Sequence, residues 1–313
     1  MMKCNAERGF SLVELMIALV IGLILIAGVL QVFVGSTVTY SMQSGLSKIQ
    51  ENGRFAMSFI VRDLRQAGYF GCSREADINN VTSSAIDAFL NIENPILGDA
   101  STGSASYQRT SLADVIEVKF AEVVSSCDIE SHNTAGREIQ CEANHNFNNT
   151  EVMIATDCLN IAVFQKNGAH TSRIEHPVGV GTAFDRGSVM RLQTHGYYIA
   201  NNTLGEPALY RESIASGAAS TIANELVEGI EDMQVLYGED TDNDRVVNYY
   251  VPFNEVNDAE DVLSIRVSLL VRSIEDNIVQ GSQTVVFNGA TVNRADGHLR
   301  KVFTTTVALR NRL

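Results

Sequence analysis

One carboxylate, Glu14, sits at the mouth of an apolar run that reaches Val34, just behind Gly9-Phe10-Ser11-Leu12-Val13. A carboxylate in a membrane span costs about 2–3 kcal/mol or more unless something pairs with it. Such a residue reads as functional, with a partner still to be named. A second acidic group, Asp240, Asp242 and Asp244, occupies alternate positions before Arg245. Oxygens at i, i+2 and i+4 can converge on a hard cation, which makes these three the candidate calcium ligands. An EF-hand would place glycine where Arg245 stands and glutamate where Val251 stands, so a solvated turn between two strands is the first expectation. Calcium is the alternative. The other chemistry-bearing residues are scattered. His132, His145, His170, His176, His195 and His298 show no H-x-x-x-H spacing, and no C-x-x-C, G-x-S-x-G or H-E-x-x-H occurs. Gly179-Val180-Gly181 is too short for a nucleotide loop. His170 and His176 flank a turn-like stretch with Glu175 and read as surface residues. No group of residues has the pattern of catalysis, and the expectation is a protein that is not an enzyme.

The elements that must carry these groups begin with a helix. Phe10 to Val34 is 25 residues, which in helical form covers about 37 Å against a hydrocarbon core of about 30 Å. The first proline is Pro95, so the helix can continue past the membrane. Leu46, Ile49, Ala56, Ile60 and Leu64 keep helical spacing, with Phe59 beside them and Lys48, Glu51, Arg54, Arg62 and Arg65 on the other face. Gln66-Ala67-Gly68 supplies a stop. The pattern predicts one helix over residues 10–66, apolar all round at first and amphipathic later. Gly22, Gly28 and Gly35 weaken its first half by about 1 kcal/mol each relative to alanine. Residues 69–112 read as an irregular connection. Strand-like runs follow at 114–124, 138–141, 152–155, 159–165, 188–192, 197–200, 208–212, 246–251, 262–272, 284–287 and 301–309. The stretch 223–236 is ambiguous and is read as a short helix turning into a strand near Met233. Nothing splits the strand-rich part, so the expected class is α+β.

Gly9-Phe10-Ser11-Leu12-Val13-Glu14-Leu15 before a long apolar helix resembles the signal of type IV pilins and type II secretion pseudopilins. Three further stretches resemble the PilW family of minor pilins: Ala67 to Cys72, Val227 to Gly238 with the aspartates after it, and Leu299 to Asn311. The central stretch is also similar to the J-type minor pseudopilin of type II secretion. The resemblance implies a pilin-like α+β fold, with a long helix packed on a large, mostly antiparallel β head. It implies a leader over residues 1–9 that prepilin peptidase removes after Gly9, an N-methylated Phe10, and a head over residues 67–313. Residues 10–34 would be transmembrane or filament core. Glu14 would pair with the N-terminal amine of a neighbouring subunit. The implied role is a minor pilin that helps prime pilus assembly at the filament tip. A J-type pseudopilin, or a signal-anchored periplasmic binding protein, is the alternative. Implied partners are other minor pilins, the major pilin, the inner-membrane assembly platform, a tip adhesin and, before assembly, the lipid bilayer.

The charge balance agrees with this picture. The net charge is −14, which disfavours direct nucleic-acid contact because phosphate binding needs clustered cations. Lys3 and Arg8 ahead of an acidic body predict a cytoplasmic N-terminus at the inner membrane and a translocated head. Cys4 falls in the leader, which leaves Cys72, Cys127, Cys141 and Cys158, an even number in a head expected to fold outside the cytoplasm. Three pairings are possible. The favoured one joins Cys127 to Cys141 as a local loop and Cys72 to Cys158 as a long one.

Overall fold

The computed structural model describes residues 11–72, 77–80, 90–98, 113–177, 180, 183–214 and 221–311. A single helix, α1 (Leu12–Leu64), runs for 53 residues, which corresponds to about 80 Å. It unwinds through Gln66 and Ala67 to Gly68, whose φ of 72° is the left-handed conformation that glycine adopts without a Cβ penalty. The Gly68 N–H donates to the Lys119 carbonyl at 3.0 Å, which passes the chain from helix to sheet.

The strands follow in order: β1 (Asp77–Asn80), β2 (Ile96–Gly98), β3 (Ile116–Asn133), β4 (Glu138–Cys141), β5 (Val152–Thr156), β6 (Asn160–Gln165), β7 (Arg173–Glu175) and β8 (Ser188–Asn201). Then come β9 (Pro207–Ile214), β10 (Thr221–Glu228), β11 (Ile230–Glu239), β12 (Tyr249–Val251), β13 (Val262–Arg272), β14 (Gln283–Phe287), β15 (Ala290–Arg294) and β16 (Arg300–Ala308). β1 to β10 form one large sheet around β3, β5 and β8. A four-stranded sheet runs β12-β11-β13-β16, and β14 with β15 makes a separate hairpin. Among the described strands the one parallel pair is β1 with β6. The head is therefore α+β and mostly antiparallel.

The helix seats on the four-stranded sheet. Ile49, Ala56, Ile60 and Leu64 pack with Ile265, Val267, Leu269 and Val271 of β13 in the main core. The large sheet is buried on both faces. Val152 and Ile154 enter one cluster while Met153 and Ala155 enter another, so alternate side chains of β5 fill both sides.

Several expectations need correction. The stretch 223–236 holds no helix: β10 and β11 meet at Gly229, whose φ of 81° breaks any helical run. A Cβ there would also lie 2.8 Å from the Arg272 carbonyl. The connection 69–112 contains β1 and β2, each too short to carry a visible alternation. Leu46 is exposed, because the buried face turns one residue earlier at Gly45. A Cβ on Gly45 would lie 2.7 Å from Ile278 Cδ1, so that side chain fills the space. The two runs 188–192 and 197–200 are one continuous strand, β8.

Candidate functional site: an anchored helix and its seat

The first half of α1 is apolar and uncovered. Leu12, Ile24, Val29 and Val32 are each more than 60% exposed, and no residue from Leu12 to Val34 is buried. This helix is long and apolar enough to cross a membrane. Glu14 lies in its first turn, where a negative charge is favoured by the helix dipole. Among the described residues Glu14 has no ion-pair or hydrogen-bond partner. Gly9 and Phe10 lie outside the described residues. Where the apolar run ends, Thr37 and Thr39 turn their hydroxyls back onto the carbonyls of Phe33 and Gly35, at 3.0 and 2.9 Å.

The second half is held by shape and by one polar cluster. The buried stripe is Gly45, Ile49, Gly53, Ala56, Ile60, Asp63 and Leu64. Gly53 lies directly beneath the Phe303 ring of β16, where an added Cβ would come within 2.4 Å. The Asn52 amide donates to the Glu228 carbonyl at 3.0 Å, and Lys48 pairs with Glu275 at the surface. Asp63, with its side chain 1% exposed, faces β8. Its Oδ2 accepts from the Tyr197 hydroxyl and meets His195 Nδ1, both at 2.5 Å. Arg62 Nε donates to Oδ1 at 3.2 Å. Burial would push the Asp63 carboxyl up, but the His195 and Tyr197 contacts outweigh it and hold the group below the usual carboxylate range. Burial and the adjacent carboxylate push the Tyr197 hydroxyl up. This cluster went unrecognised in the sequence. Its one signal was an acid at position 63 between Ile60 and Leu64 on an apolar face.

The head is tied by two disulfides, Cys72–Cys158 across 86 residues and Cys127–Cys141 across 14. The long bridge fastens the segment just after α1 to the β5–β6 turn. In a chain-entropy account these loops stabilise the head by about 4–5 and about 3 kcal/mol respectively.

The acidic turn after β11 brings one oxygen each of Asp240, Asp242 and Asp244 within 4.8 Å of one another. Asp240 also closes the turn on its own: Oδ1 accepts the N–H groups of Asp242 and Asp244, both at 3.3 Å, and Oδ2 that of Arg245 at 2.7 Å. Arg245 stands at φ 65°, the left-handed conformation that an EF-hand loop would fill with glycine. Backbone donors thus engage both Asp240 oxygens. The histidines do not converge on one site. His170 is exposed, but His176 is buried, which corrects its reading as a surface residue. His132 Nδ1 accepts the Phe184 N–H at 3.1 Å, and its Nε2 lies 2.9 Å from His176 Nε2, whose Nδ1 lies 2.9 Å from the Pro177 carbonyl. Both ring pKa values are lowered, chiefly by burial.

An apolar helix long enough to cross a membrane thus runs unbroken into an antiparallel head. The comparisons carry this further. The family model for type IV pilus-assembly protein W matches residues 196–311. The prokaryotic N-terminal methylation motif matches residues 4–30. No curated protein matches the chain. The first match begins in β8 and spans β9 to β16, including the strands under α1 and the acidic turn. The two matches are consistent with a PilW-type pilin that carries a prepilin-type signal.

Proposed function

We propose that this protein is a minor pilin that helps prime type IV pilus assembly, sits at the filament tip, and enters the filament through Glu14. The observation that carries the reading is Glu14, without a partner among the described residues, in an apolar helix that none of the described residues covers. Peptidase cleavage after Gly9 would leave an amine on Phe10. In a filament core packed from such helices, a lone amine and a lone carboxylate are each costly, and the pair is tolerable. Joining Glu14 to a neighbour's Phe10 amine satisfies both and fixes the axial register of the incoming subunit. Lys3 and Arg8 orient the N-terminus to the cytoplasm, with the head on the other side of the inner membrane. A head of this size would crowd a thin filament at every position but is accommodated at an end. Its partners are then other minor pilins, the major pilin and the assembly platform.

The test is a deletion strain. Cells are sheared, major pilin in the released fraction is quantified, and secreted hydrolases are assayed in the same culture. Loss of surface pili with normal secretion is expected. Normal pili with blocked secretion would instead assign the protein to a secretion pseudopilus.

A further inference from the structure

β16 is an edge strand of the four-stranded sheet, and its outer side pairs with no other strand among the described residues. Its ladder with β13 runs from Ser264 opposite Ala308 to Arg272 opposite Arg300. Just beyond the two ends, Leu309 N–H donates to the Leu263 carbonyl and Ser273 N–H to the Leu299 carbonyl. By the antiparallel alternation, the odd-numbered residues of β16 bond inward to β13. The N–H and C=O groups of Val302, Thr304, Thr306 and Ala308 therefore point outward. None of them meets a backbone partner among the described residues. Arg300, first of the outward set, shows what the edge accepts. The Gln283 carboxamide donates to the Arg300 carbonyl at 2.9 Å and accepts the Arg300 N–H at 2.7 Å, the two bonds a neighbouring strand would make.

The ground beside this edge has a definite chemistry. Between α1 and β16 lies a groove of about 640 Å³, with Met57, Val61 and Phe303 as its apolar lining. Arg54, Arg62 and Arg65 line the same groove, and all three are exposed. Among the described residues Arg54 and Arg65 have no carboxylate within 4 Å, and Arg62 reaches only Asp63, whose other oxygen His195 and Tyr197 already engage. Lys301, also exposed, extends over the Phe303 ring at the start of the strand. In a chain with net charge −14 this is a concentration of unmatched cations. Two copies meeting through this edge would bring their arginine sets together, so the charge disfavours self-association.

We propose that the β16 edge and the arginine-lined flank of α1 form a docking site for an extended, acidic segment of another pilus subunit, which adds to the sheet as a further strand. Main-chain hydrogen bonds to residues 302–308 supply the pairing, and carboxylates meeting Arg54, Arg62 and Arg65 select the partner. The class of partner rests on the assembly function proposed above.

The full-length protein, carrying a photo-reactive benzoylphenylalanine at Thr306, is irradiated in piliated cells and the crosslinked segment is mapped by mass spectrometry. A crosslink to an acidic, extended segment of another pilus subunit is expected. Thr304→Pro removes an outward N–H without touching the ladder to β13 and should cut crosslinking by about tenfold or more. Its melting temperature in detergent should stay within about 2 °C of the parent's. The paired change Arg54→Glu with Arg65→Glu, on the exposed flank of the helix, should do the same and serves if the proline disturbs folding. A crosslink to a second copy, to a basic segment or to a helix would overturn the proposal, as would unchanged crosslinking in both variants. If both variants restore pili to a deletion strain, the docking site fails while the assembly role stands. If deletion leaves pili intact, the assembly role itself fails.

Discussion

The two halves of α1 use the same residue type for opposite ends. Gly45 and Gly53 in the second half lie under Ile278 and Phe303, where an added Cβ would come within 2.7 and 2.4 Å. Gly22, Gly28 and Gly35 in the first half have no neighbouring atom within 4 Å of where a Cβ would stand. One set is already used to bring the helix onto its sheet. The other set, like the apolar surface around it, meets no packing partner among the described residues. The same contrast holds for the acids: Asp63 is engaged on Oδ2 by His195 and Tyr197 of the head and on Oδ1 by Arg62 of the helix, and Glu14 by no side chain among the described residues. The second half is covered by the head, and the first is covered by nothing among the described residues.

The contrast can be broken most forcefully at Asp63. Asp63→Ala leaves His195 and Tyr197 facing an empty site, and loss of one partner from a buried polar cluster costs about 3 kcal/mol or more. Melting in detergent should fall by about 5–10 °C. Because the folded-state pKa of Asp63 is depressed, its stabilisation is present above about pH 4 and is lost as pH falls through the folded value. The gap between the parent and Asp63→Asn should accordingly narrow when urea unfolding is repeated below that pH. A gap independent of pH would mean that the carboxylate's charge contributes nothing.

The glycines give a matched pair of smaller effect. Gly53→Leu overpacks against Phe303 and should destabilise the head by about 1–3 kcal/mol in urea titrations. Gly28→Leu should leave head stability within about 0.5 kcal/mol. Equal losses at both positions would erase the distinction between the two halves. The smallest effect is expected at the acidic turn. With both Asp240 oxygens bound to backbone N–H groups, millimolar calcium should move the melting temperature by less than about 1 °C, and chelation should do nothing. Clear heat in a calcium titration would reinstate the cation reading.

How much of this was legible in the sequence depended on the length of the element and on where its neighbours came from. The helix is nearly where its periodicity placed it, and β4 and β13 coincide with their predicted runs. These segments carry their own pattern: unbroken apolarity, a closing glycine, or alternation over many residues. β1, β2, β7 and β15 did not show, because three to five residues that are strands only by pairing with a distant partner leave little local trace. β10 and the start of β11 were left ambiguous, with a short helix as the reading, for a related reason. Their apolar spacing fits either period, and only pairing with β9 and β13 decides it. The cysteine pairs matched the favoured connectivity, since one short and one long loop suited the chain order. The seat of α1 was half visible. The apolar stripe could be read, but not that Gly45 and Gly53 occupy it, nor that Asp63 reaches a histidine 132 positions away. Glu14 was visible for the opposite reason: a lone acid at the mouth of an apolar helix is conspicuous in sequence whatever it eventually meets.

The most direct measurement compares Glu14→Ala with the parent in a deletion strain. The quantities needed are the protein's level in membranes, the melting temperature of the solubilised chain, and the amount recovered with sheared filaments. Membrane level and melting should be unchanged, while recovery with filaments should fall by about tenfold or more, since the cost of one unpaired buried charge exceeds 1.4 kcal/mol. Recovery equal to the parent's would contradict the account, because the first half of α1 would then enter the filament without the carboxylate on which the proposed assembly depends.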